Sequence, residues 1–126
     1  MTYGTINVDT LTASTGVLAT QNGMTGIAKA WIQYNGVTQT ITSSFNVSSV
    51  TYNSTGNYTI NFTTAMPNAN YVPVAIGYND NSVYSLVVTL TESTPPTTSL
   101  FRVLTQQMNS TTVFNSARLY IAVFSS

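Results

Sequence analysis

From Ile27 onward, apolar residues recur at every second position in short runs separated by turn residues, the rhythm of strands whose two faces meet different surroundings. Tyr58, Ile60 and Phe62 alternate with Asn57, Thr59, Asn61 and Thr63, which predicts a strand with one apolar face and one face of amides and hydroxyls. Its neighbour is expected over 44–52, connected through Asn53, Ser54, Thr55 and Gly56, residues that tolerate turn conformations. Six further strands are expected near 27–34, 37–42, 71–78, 83–91, 99–105 and 117–124, with turns at Asn35-Gly36 and at Asn79-Asp80-Asn81-Ser82. Pro73 cannot donate to a ladder, so its strand should be an edge or carry a bulge. Pro95-Pro96 ends the strand before it, and Met66-Pro67-Asn68 reads as a structural corner. No window supports a long helix. The expected fold is all-β, an antiparallel β-sandwich of about eight short strands with Greek-key or jelly-roll connections.

Residues 1–26 break this rhythm. Ile6, Val8, Leu11, Val17, Leu18 and Met24 are spaced by Thr, Asn, Ser and Gly, too sparsely to offset the entropy of ordering the segment alone. The division expected is therefore an extended N-terminal arm over 1–26 and one sandwich domain over 27–126. The arm would lie on neighbouring subunits, with Ile6, Val8, Leu11, Val17 and Leu18 as its contact residues.

Charge and composition then narrow the function. Histidine and cysteine are absent, and the charged residues are Lys29, Arg102 and Arg118 against Asp9, Asp80 and Glu92. General acid–base catalysis, nucleophile activation and transition-metal binding all draw on the missing groups. Asp80 and Glu92, the nearest approach to a catalytic carboxylate pair, are separated by a strand, so no enzymatic activity, catalytic residue or cofactor is expected. A lone carboxylate in the loop at 79–82 falls short of a calcium site, and no metal is expected. With a formal net charge of zero, counterion release cannot drive nucleic-acid binding. The charged fraction is 5%, far below the usual roughly 25% of soluble proteins, which argues for association over a free monomer. No apolar run is long enough to span a membrane, and the N-terminus lacks the basic and apolar regions of a signal peptide. Asn-x-Ser/Thr triplets at Asn46, Asn53, Asn57, Asn61 and Asn109 are frequent by chance in so Asn- and Thr-rich a chain and are not expected to carry glycans.

The stretch Gly26-Ile27-Ala28-Lys29-Ala30-Trp31, with Asn35-Gly36, Ser44-Phe45-Asn46-Val47-Ser48-Ser49 and the run from Gly56-Asn57-Tyr58 to Met66-Pro67-Asn68-Ala69-Asn70-Tyr71, resembles a segment of tailed-bacteriophage fibre and virion-surface proteins. The likeness covers roughly 24–75, and the opening Tyr3-Gly4-Thr5-Ile6 also resembles the start of small phage structural proteins. This resemblance implies a trimeric β-sandwich on the outside of a virus particle, made in the host cytoplasm and without catalysis. No shaft or tail-attachment module accompanies the segment, which turns the expectation towards a head decoration or cement protein. Its partners would be its own copies and the major capsid protein. The alternative is a fibre tip that binds host surface glycan, or a collar part.

Several residues carry individual expectations. Trp31 should be buried in the core or at a subunit contact, with sugar stacking as its other role. Lys29, two positions earlier on the same strand face, is expected to be solvated. Tyr78, Asn79, Asp80, Asn81 and Tyr84 form a polar hairpin tip flanked by tyrosines, a candidate recognition surface or an ordinary turn. Arg102 and Arg118, on strands, are candidates for pairing with Glu92 or Asp80 of a neighbour.

Overall fold

A computed structural model of the chain describes residues 26–78, 86–91 and 93–125. The described residues form eight strands: β1 (Ala28–Asn35), β2 (Thr40–Phe45), β3 (Val47–Ser54), β4 (Asn57–Phe62), β5 (Val72–Tyr78), β6 (Leu86–Leu90), β7 (Leu100–Gln107) and β8 (Arg118–Phe124). They form two antiparallel four-stranded sheets, β2-β1-β8-β5 and β3-β4-β7-β6, packed as a sandwich. The neighbours β1 and β8, β4 and β7, and β5 and β8 are distant in sequence, which excludes a simple meander. Every expected strand is present, and the Pro73 strand is an edge, as its missing donor requires.

The alternation of β4 acts as expected. Tyr58 and Ile60 are fully buried, and with Phe62, Phe101 and Val103 they face Ala30, Ile32, Tyr34, Leu119, Ile121 and Val123 of the other sheet. Aromatic rings fill one end, where Phe62 meets Tyr71 edge-on at 5.5 Å and Phe101 at the same separation. Buried phenols find acceptors: Tyr58 donates to Asn115 Oδ1 at 3.0 Å, and Tyr71 to the carbonyls of Thr97 and Leu100 at 2.8 and 2.9 Å. Burial pushes both hydroxyls up to about 12.

Two strand positions differ from the sequence reading for a shared reason. The expected strands at 37–42 and 44–52 lie two to three residues further on, because the turn after β1 continues through Gln39, at φ 57°. Asn35 organises that turn, its Oδ1 accepting from the amides of Val37 and Thr38. Asn46 alone, at φ 54°, then carries the chain from the first sheet to the second. Its Nδ2 donates to the carbonyls of Lys29 and Thr64, and its Oδ1 accepts from Thr64 N at 2.7 Å. Asparagine tolerates the left-handed region, so this single residue makes the corner.

Lys29 corrects its expectation. It is 1% exposed, not solvated. A β-bulge between Ala28 and Ala30 inserts one extra residue opposite β8, breaking the parity that would place Lys29 beside Trp31; Lys29 and Ala30 are both buried.

Candidate functional site

The outer faces of the sandwich differ in how they are finished. On the β3–β4 half of the second sheet, the outward positions are amides and hydroxyls that satisfy one another, while β7 and β6 add Leu100, Arg102, Leu104 and Val87. Asn53 Nδ2 donates to Asn57 Oδ1 and Thr59 Oγ1, Asn61 Nδ2 reaches Ser49 Oγ and Thr51 Oγ1, and Arg102 Nε reaches Thr59 Oγ1 at 3.4 Å. Such a ladder leaves little for a partner to gain.

Across β1, β8 and β5 the outer face of the first sheet carries a cluster of exposed apolar residues. Register places Trp31, Ala122 and Val74 in one cross-strand row, Gln33, Tyr120 and Ile76 in the next, and Arg118 with Tyr78 in a third. Trp31 is 40% exposed, while Val74 and Ile76 are 57% and 66% exposed, values that put large apolar groups in water. Single exposed apolar residues need no explanation, but a contiguous cluster marks a contact surface. Small Ala122 lies between Trp31 and Val74, and the rows enclose a depression of about 410 Å³. A smaller one of about 200 Å³ adjoins it at Tyr78, Arg118 and Tyr120.

The face arises from an inversion in β5. Val72, Val74 and Ile76 point outward, and Pro73, Ala75 and Gly77 point inward. Tyr71 is buried and doubly hydrogen-bonded just before the strand, which holds this parity. A Cβ at Gly77 would come within 3.3 Å of Ser116 Oγ and Val88 Cγ2, so the inner side has no room for the larger set. Ser116 locks the far end, its Oγ accepting from Tyr78 N at 3.1 Å and lying 2.9 and 2.7 Å from the carbonyls of Tyr78 and Arg118.

The sequence-derived residues fall on and off this surface. Trp31 is on it and outside the core, which leaves the subunit-contact and sugar-stacking readings. Tyr78 is at its end, 53% exposed, with the Arg118 guanidinium 5.9 Å from its ring centroid. Asn79, Asp80, Asn81 and Tyr84 of the expected recognition loop lie outside the described residues, as do Ile6, Val8, Leu11, Val17 and Leu18 of the arm. All three carboxylates, Asp9, Asp80 and Glu92, also lie outside them. Val74, Ile76, Tyr120 and Ala122 were not singled out by sequence, although the bulky-small alternation of 72–77 was there to be read. No family model, curated protein or solved structure matches the chain.

Proposed function

We propose that the chain is a non-enzymatic structural protein of a tailed-bacteriophage virion, a homotrimeric decoration protein on the outer head surface. Residues 1–26 would attach it to the major capsid protein. The observation that carries the reading is the exposed apolar cluster across β1, β8 and β5 of a nearly uncharged sandwich, the layout of a part built to be packed against. The likeness of 24–75 to phage virion-surface proteins supplies the setting. Counting copies in purified particles tests it. A decoration protein is present in the numbers of a capsid lattice, whereas a fibre or collar part is present in a few copies. Deleting residues 2–24 should abolish attachment and leave a soluble oligomer; attachment that survives the deletion refutes the arm's role.

A glycan-binding fibre tip is the second reading. The corner of Tyr78, Arg118 and Tyr120 favours it, since aromatic faces beside a guanidinium suit a sugar ring. Host-cell binding by the purified chain, lost in Tyr78→Ala and Tyr120→Ala, would select it.

A further inference from the structure

The apolar face is not a default of composition. The same chain, rich in Thr, Ser and Asn, builds a self-satisfied polar exterior over β3 and β4 and withholds it from β1, β8 and β5. We infer that a second copy of this chain covers the outer face of β1, β8 and β5, and that this contact builds the oligomer; the inference rests on the assembly role proposed above.

Three observations carry it. The first is shape. Trp31 and the Val74–Ile76 ridge stand on either side of low Ala122, so the ridge of one copy can enter the trough of the next, a head-to-tail contact that can close a ring of three. The second is size. Across β5, β8 and β1 the face is three strands wide and seven residues long, roughly 14 Å by 23 Å at standard spacings, with Phe45 of β2 beside Trp31 at its margin. Side-chain relief and Phe45 raise its accessible area above that plan, towards the roughly 500 Å² per partner at the low end of specific interfaces. The third is charge. Among the described residues, Arg118 is the one charged group on the face and it lies over Tyr78, so nothing selects an acidic or basic partner. A neutral ridge and trough is best met by its own kind. The arrangement also covers the exposed apolar side chains of β5, Val72, Val74 and Ile76.

The test uses the full chain in sedimentation velocity and native mass spectrometry across a dilution series. The wild type should form a closed oligomer, and Ile76→Asp should weaken it by roughly tenfold or more in dissociation constant. Thr51→Asp, on the outer face of the opposite sheet, should leave it unchanged. Because the chain has no cysteine, Val74→Cys supplies a single thiol that should be shielded from a maleimide reagent in the oligomer and react freely on dilution. Far-UV circular dichroism checks that Ile76→Asp folds; if it does not, the shielding of the Val74→Cys thiol decides. A monomeric wild type, an oligomer indifferent to Ile76→Asp, or a Val74→Cys thiol that reacts equally fast at every concentration overturns the inference. Copy counting separates this outcome from the virion reading: a self-associating chain absent from particles sinks that reading alone, and an abundant monomeric one sinks this inference alone.

Discussion

Replacing Gly36 with alanine puts the packing beneath the first turn to a test of sign. Gly36 is outside the left-handed region, and at such a position Gly→Ala ordinarily stabilises by about 0.4–1 kcal/mol by restricting the unfolded chain. Here a Cβ would overlap the Tyr58 hydroxyl and lie 2.9 Å from the Ser116 carbonyl oxygen. Neither neighbour is free to withdraw. Tyr58 is fully buried with its hydroxyl on Asn115, and Gly36 N itself donates to Ser116 O at 2.8 Å. Overpacking a close-packed site costs about 1–3 kcal/mol, and a displaced phenol loses a hydrogen bond worth about 1 kcal/mol. After the entropic gain, Gly36→Ala should destabilise by about 1–3.5 kcal/mol. Urea unfolding followed by far-UV circular dichroism measures this, at one fixed protein concentration because assembly adds to apparent stability. Tyr58→Phe removes the nearest atom, so the double variant should recover about 1 kcal/mol relative to additivity. If Gly36→Ala is as stable as the wild type or more so, the close approach of turn and phenol is wrong.

Two further outcomes follow from the core and the corner. Without histidine, stability should be flat from about pH 5.5 to 9 and then fall, because folded Tyr58 and Tyr71 keep their protons to about 12 against 10.0 when unfolded. Raised folded values mean that their contribution is complete below pH 10 and is lost as pH climbs to 12, at up to about 1.4 kcal/mol per pH unit for each phenol; an unchanged melting temperature from pH 9 to 12 would contradict this. Asn46→Gly should cost about 1–2 kcal/mol through its lost side-chain hydrogen bonds, and Asn46→Ala about 1 kcal/mol more for the left-handed backbone; the reverse order in urea unfolding would remove the corner argument.

Strand number, class and the Pro73 edge were legible because periodicity and proline act locally. What escaped the sequence was set by single residues acting over distance. The bulge at Lys29 reversed the face of one charged side chain, and no local pattern announces an extra residue whose partner strand is β8. The start of β2 slipped because Gln39, an unremarkable residue, takes a left-handed turn position. The apolar face was the largest omission. Reading 72–77 by size would send Val72, Val74 and Ile76 inward, and only the anchoring of Tyr71 and the tight inner side at Gly77 show that they point out.

The order β2-β1-β8-β5 has a consequence for how the molecule is made. β8 is the shared neighbour of two strands, and among the described residues β5 has no other ladder partner. During synthesis β1 and β5 emerge with their central seam missing, so the hairpins β1–β2, β3–β4 and β6–β7 can zip early while the first layer as a whole waits for Arg118–Phe124. Nascent chains stalled before that segment should therefore be protease-sensitive in β1 and β5 together, and a single late strand converts two loose ribbons into one wall.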